Sequence, residues 1–183
     1  VERDINRLPG TFVHPFDNDH FIAGNGTIGL EILDDLADVN AVVVSVGGGG
    51  LLAGVATALR ALKPDTRIYA AEPETAAPLA RSLKLGQASY FEEWTASFVD
   101  GCGGKSVLPT MWPLVRNVTG SIIVSLNEIR AAMKLIAQSA HVIAEGAGAC
   151  AVAAALSGRA GSGKIAAVVS GGNIDLSKFT TLI

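Results

Sequence analysis

Four stretches of the chain are apolar without polar alternation: AVVVSV (residues 41–46), RIYAAE (67–72), SIIVS (121–125) and IAAVVS (165–170). Each is short and rich in Val, Ile or Ala, the pattern of parallel strands covered on both faces. Between them the apolar period lengthens to that of a helix. Leu51, Leu52, Val55, Ala58, Leu59 and Leu62 fall on one helical face. Ser125 and Glu128 form an S-x-x-E capping box opening a helix through about Ser139, with Ile129, Met133 and Ile136 inward. ACAVAAAL, after Gly148, predicts a small-residue helix suited to close packing on a sheet, and a further helix is expected around Ile28–Leu36. Residues 86–110 carry glycines, aromatics and Pro109 and read as an irregular excursion. Strands alternating with helices, joined by right-handed crossovers, predict an α/β fold: one domain over residues 1–183, a doubly wound parallel sheet with helices on both faces.

Composition supports a packed core. Of 183 residues, 49% are hydrophobic and 17% charged, which excludes a disordered chain. The net charge of −3 without a basic cluster speaks against nucleic acid or an anionic membrane as partner. Residues 41–59 carry no charge over nearly the length of a membrane span, but four central glycines make a poor helix, and a strand, turn and helix are expected instead. Cys102 and Cys150 are too few for a disulfide framework and read as reduced thiols of a cytosolic protein. No signal-peptide pattern is visible, and the chain begins VERDINRLPG without a Met, which reads as a fragment.

The predicted strand ends carry the chemistry. One ends in Gly47–Gly50, one in Glu72 and one in Ser170-Gly171-Gly172-Asn173. Parallel sheets of this kind bind ligands beyond the carboxyl ends of their strands. Four ordered glycines cost roughly 2–4 kcal/mol relative to alanine, more than a plain turn requires. A strand, four glycines and a helix N-terminus make a cradle whose bare N–H groups converge on one anion. No lysine completes it, so a phosphate monoester suits it better than a triphosphate. Three other glycine motifs fail. GNGTIG (24–29) lacks a strand before it and an acidic residue about twenty positions on, so its glycines are expected to turn the chain into the next helix. GRAGSGKI (158–165) ends in Ile165 where a P-loop needs Ser or Thr, and precedes a strand; GCGGKS (101–106) has Val99 where the first P-loop glycine belongs.

VGGGGLLAG, AAEPETA, EGAGA and SGGNID, in that order and spacing, resemble the pyridoxal-phosphate enzymes of the threonine dehydratase and serine racemase group, fold type II. HPFDN and IAGNGTIGLEIL are similar to that family's approach to the tetraglycine, so the resemblance covers essentially the whole chain. It implies that Gly47, Gly48, Gly49, Gly50 and the amide of Leu51 hold the cofactor phosphate. It implies also that Ser170 hydrogen-bonds the pyridine nitrogen. A serine hydroxyl is too weak an acid to protonate that nitrogen, which favours β-elimination from serine or threonine over transamination.

The resemblance also implies what is missing. The family's cofactor-bearing lysine stands in a Ser-x-Lys-like context beside a loop that grips the substrate carboxylate, and nothing here matches either. Lys63, Lys84, Lys105, Lys134, Lys164 and Lys178 are expected at helix ends, loops or strand edges. The chain therefore looks like the C-terminal portion of such an enzyme, without its lysine and small domain. Racemase-like members bind a divalent cation after AEP. Glu72 and the carbonyl of Ala76 match two of its ligands, while Pro78 replaces the second acid, and Glu72 is alternatively an ion-pair partner. The expected function is a serine/threonine dehydratase acting on a small amino acid, present as a fragment with no catalytic residue of its own. Serine racemase and 3-hydroxyaspartate dehydratase are the related readings, and a non-catalytic phosphate-binding domain is one of another class. Exposed apolar surface would lead to a homo-oligomer or a complementary N-terminal fragment as partner.

Overall fold

The computed structural model describes residues 10–183. At the centre lies β1 (Ala41–Ser45), buried along its whole length. It pairs in parallel with β2 (Arg67–Pro73) on one side and β4 (Ile165–Ala167) on the other, and β3 (Gly120–Val124) pairs in parallel with β2. The order is β3-β2-β1-β4. Alternation along β1 divides the core. Val42 and Val44 face a layer containing α1 (Asp19–Asp35), α2 (Gly50–Leu62), α3 (Pro78–Leu85) and α4 (Trp112–Val115). Val43 faces α5 (Leu126–Ala140), α6 (Gly146–Leu156) and α7 (Leu176–Leu182).

The winding places the site. The chain steps from β1 to β2 to β3 with α2, α3 and α4 on one face, then returns across the sheet to β4 with α5 and α6 on the other. Right-handed crossovers require that change of face when direction reverses. The reversal opens a crevice between the carboxyl ends of β1 and β4, the switch point at which such sheets take ligands.

The doubly wound sheet is as the sequence predicts, and several details differ. The capping box forms: the Ser125 hydroxyl accepts from the Glu128 amide at 3.2 Å, and the Glu128 carboxylate accepts from the Ser125 amide at 2.7 Å. Ile129, Met133 and Ile136 are buried as expected. Lys134 is not at a helix end but on the exposed face in the middle of α5. On α2 the inward face is Leu52, Ala53, Val55, Ala56 and Leu59, whereas Leu62 is 60% exposed in the last turn, beyond the reach of the sheet. β4 stops at Ala167, and its residues are only half-buried because β1 is its one neighbour. The excursion over residues 86–110 is irregular, with one short 3-10 turn at Asp100–Cys102.

The largest correction concerns GNGTIG. It turns nothing, because α1 begins at Asp19, capped by the Asn18 side chain accepting from the Phe21 amide at 3.0 Å, and runs through the motif. Two of its glycines, Gly26 and Gly29, serve packing against α2. A Cβ on Gly29 would lie 2.9 Å from the Cβ of Ala58, one on Gly26 would reach the Gly54 carbonyl, and one on Gly54 would strike the Ile22 carbonyl. Two helices this close leave no room for side chains between them. Gly24, one turn away, has open space. Gly54→Val should therefore destabilise the fold by about 1–3 kcal/mol through overpacking. Gly24→Ala should stabilise it by about 0.5–1 kcal/mol through helix propensity. Thermal melts of the two variants check the opposite signs.

Candidate functional site

The glycines after β1 are demanded by what lies against them. A Cβ on Gly47 would collide with the Gly101 carbonyl, and one on Gly48 with the Phe16 ring. A Cβ on Gly50 would lie 2.8 Å from the Phe16 backbone. Gly49 has φ +96°, the left-handed region that glycine enters without penalty, and begins α2 as its N-cap. The segment is thus pressed between the 3-10 turn and a strap at residues 14–18. His14 shapes that strap: its Nδ1 accepts from the Asp17 amide at 2.8 Å and its ring meets Phe16 edge-on at 4.5 Å. Thr110 then donates to Asp17 at 2.7 Å.

The Val46 amide still belongs to the sheet, donating to Ala71 at 3.0 Å, and the Ala53 amide is the first to find a helical acceptor, the Gly49 carbonyl at 2.8 Å. Among the described residues the amides of Gly47 to Leu52 between them have no acceptor. Gly47 to Leu51 line a cavity of about 320 Å3 at the switch point. Ser170, three residues beyond β4, lines the same cavity, as the sequence predicts. Glu145 and Ala147 bring the N-terminus of α6 to it, so the partial positive ends of α2 and α6 converge. Among the described residues no lysine or arginine lines it. Open amides, two helix starts and a surface that admits no Cβ fit a phosphate ester held by backbone alone.

Four parts of this wall are missed by sequence reasoning: Phe16, Ser45, the Gly101–Cys102 turn and Glu145. Glu145 had a usable signal, since EGAGA places a carboxylate at the start of a small-residue helix opposite a glycine-rich strand end. Its amide donates to the Gly171 carbonyl at 3.1 Å, tying α6 to the segment that carries Ser170. Burial, and then the nearby Asp100 charge, push its carboxyl above the ordinary range, with Lys178 opposing. Cys150 lies behind Cys102. The hydrogen bond between the two thiols, and then burial, push Cys150 well above the usual thiol range, so it remains neutral.

Glu72 is fully buried at the end of β2 and outside this cavity. Among the described residues it has no ion-pair partner; its partners are neutral donors. The Leu79 and Ala80 amides at the start of α3 donate to its two oxygens at 2.7 and 2.8 Å, and the Ser121 hydroxyl donates at 2.5 Å. Ala76 is buried nearby, its amide bonded to the Pro73 carbonyl at 2.9 Å. Among the described residues no three His, Cys, Asp or Glu side chains gather as a metal site.

Residues 4–171 match the family described as pyridoxal-phosphate dependent enzyme. The chain is 41% identical to L-threonine ammonia-lyase of Thermotoga maritima over 174 residues, 94% of this chain and 43% of that protein. It is 43% identical to the catabolic L-threonine dehydratase TdcB of Staphylococcus aureus over 180 residues, 94% of this chain and 51% of that protein. Among solved structures, maize serine racemase superposes with a TM-score of 0.84 at 36% identity, over 92% of this chain and 53% of that one. The processed form of threonine deaminase isoform 2 from Solanum lycopersicum gives 0.85 at 35% identity, over 94% and 51%. The chain spans about half the length of the curated relatives it matches. Among the described residues no helix is long and apolar enough to cross a membrane.

Gly48→Val should abolish binding of pyridoxal phosphate and of inorganic phosphate in a chain that still folds, measured by calorimetry beside a circular dichroism spectrum. Glu72 yields a second prediction. Burial raises its carboxyl from 4.5 to about 7 against the pull of its three donors. A group that holds its proton more tightly when folded stabilises the fold below its unfolded pKa, and that contribution fades as pH rises through the folded one. The urea midpoint of the wild-type chain should fall from about pH 5 to about pH 7.5, and that of Glu72→Gln should stay level across this window.

Proposed function

The chain belongs to the pyridoxal-phosphate dependent enzyme family, and we propose that the protein it is part of is a serine/threonine dehydratase, an ammonia-lyase that eliminates the β-hydroxyl and releases a 2-oxo acid. One observation carries this reading: Gly47–Gly50 with their unbonded amides and Ser170 line a single cavity at the switch point of the sheet. The amides of Gly47, Gly48, Gly49, Gly50 and Leu51 hold the phosphate, and the Ser170 hydroxyl holds the pyridine nitrogen. When bound, the cofactor supplies an electron sink for the negative charge that develops on the substrate α-carbon. Ser170 does not protonate the ring as a carboxylic acid would, which suits elimination better than transamination. Glu145 can keep a proton on its carboxyl at the cavity wall nearer neutral pH than a solvated carboxylate can.

Residues 1–183 form one cofactor-binding unit in this reading. None of its six lysines lines the cavity, so the lysine that anchors the cofactor and the loop that grips the substrate carboxylate come from elsewhere in the parent protein or from a complementary chain. Exposed Phe12, Val13 and Val169 are apolar surface for such a partner or for a second copy. A reducing, cytosolic compartment suits Cys102 and Cys150, both unbridged. A divalent cation at Glu72 and the Ala76 carbonyl would have to displace three donors from Glu72, and we assign that carboxylate to α3 instead. Serine racemisation is the second reading, supported by the likeness to maize serine racemase.

The purified chain should bind pyridoxal phosphate yet release keto acid from serine or threonine no faster than free cofactor does, because proximity and a positioned base are both absent. Turnover well above that background would place the anchoring lysine among the six present, and failure to bind the cofactor would remove the dehydratase reading. In the full-length parent, Ser170→Asp should shift the product ratio away from clean elimination; an unchanged ratio would separate Ser170 from the ring.

A further inference from the structure

The wall opposite the glycine cradle is the 3-10 turn Asp100–Cys102, whose Cys102 end is buried in the core beside α6. It stands between two cavities. Gly101 and Cys102 line the one described above, while Asp100 and Gly103 line another of about 170 Å3 together with Thr75, Ser97 and Trp94. Core packing holds the Cys102 end of the turn, whereas its Asp100–Gly103 end borders open space and is not fixed by packing. Two hydrogen bonds close it instead. The Gly103 amide donates to the Asp100 carbonyl at 3.0 Å, and the Trp94 indole N–H donates to the Gly103 carbonyl at 2.9 Å.

Trp94 is itself anchored. The Lys105 ammonium lies 4.1 Å from its ring centroid, and the strand-like bridge Tyr90–Ser106, with the Phe91 amide donating to the Lys105 carbonyl at 2.8 Å, draws the two arms of the excursion together. From the indole the path to the site is short. Gly103 follows the turn, and the turn's Gly101 carbonyl occupies the space that a Cβ on Gly47 would need. Trp94 does not line the cradle cavity.

We propose that Trp94 is a positioning residue for the phosphate cradle: its indole N–H fixes the Gly103 carbonyl, and through it the Asp100–Cys102 turn that walls the cavity against Gly47. The excursion over residues 86–110 is then a brace for the site and not a surface ornament. This rests on the cradle being the phosphate site of the proposed dehydratase. Trp94→Phe keeps the ring for Lys105 and the apolar contact but removes the donor. Trp94→His shortens the side chain and returns an N–H.

The test uses the 183-residue chain with pyridoxal phosphate, and separately inorganic phosphate, as calorimetric probes, with thermal melts of the cofactor-free protein alongside. Losing one hydrogen bond should weaken binding of both probes about two- to tenfold in Trp94→Phe. The melting temperature of Lys105→Met, which removes the cation and leaves the indole donor, should move at least as much, with binding unchanged. Trp94→His should recover part of the lost affinity. If Trp94→Phe binds both probes like wild type, or if affinity follows melting temperature across all three variants, the positioning role is overturned. If wild type binds both probes and only Gly48→Val fails to, the cradle stands and Trp94 does not. If wild type binds neither, the dehydratase reading and the brace fall together.

Discussion

The structure depends on one close approach of backbone to backbone. Between Val46 and Leu51 the chain leaves a buried strand and enters a helix while pressed on two sides, by the Phe16 strap and by the Gly101 turn. Any side chain at Gly47, Gly48 or Gly50 would push one of those walls away, and at Gly49 it would have to adopt a left-handed backbone. The amides between the sheet and the first helical hydrogen bond are left without an acceptor among the described residues, and Gly47 to Leu51 line the cavity. The same steric constraint makes the cradle and keeps side chains off its floor at Gly47–Gly50, so an anion there meets backbone N–H groups.

Around that point the fold contributes orientation. The reversal of winding between β1 and β4 brings the two glycine-rich strand ends to one crevice, and the starts of α2 and α6 aim their partial positive ends into it. Glu145 joins the halves through its amide on Gly171, and among the described residues its carboxyl is the one acidic group on the cavity wall. Glu72 plays an equivalent structural part away from the cavity, substituting for the side-chain cap that the Ala77 N-cap of α3 cannot supply.

Most of this architecture is legible in the sequence because strand burial and helix periodicity are local signals. The four strands, the capping box at Ser125 and the helix after Gly49 need only their own neighbours. The site is legible as far as glycines and hydroxyls at strand ends reveal it, which is Gly47–Leu51 and Ser170. What is hidden depends on long-range contact. Phe16 faces Gly48 only because α1 packs against α2, and the glycines that allow that packing, Gly26, Gly29 and Gly54, look like turn formers when read in isolation. Leu62 fits the apolar period of α2 yet lies past the end of the sheet. The Gly101 turn belongs to a segment without periodicity, so no pattern could assign it to the cavity.

The pairing of β4 with β1 has a kinetic side. The contacts that register it, such as the Lys164 amide donating to Asn40, close a loop of 124 residues, whereas the α1–α2 pair and the strand–turn–helix of the cradle form within a short stretch of chain. Closure entropy grows only slowly with loop length, but it must be met before such distant contacts contribute. Sequence separation alone would favour formation of the strand–turn–helix of the cradle before docking of the far wall that carries Ser170. A molecule that bridges the two binds only the completed sheet, and by mass action it pulls the late step forward. A ligand of this crevice would thus stabilise the completed sheet over any form in which β4 has not docked on β1.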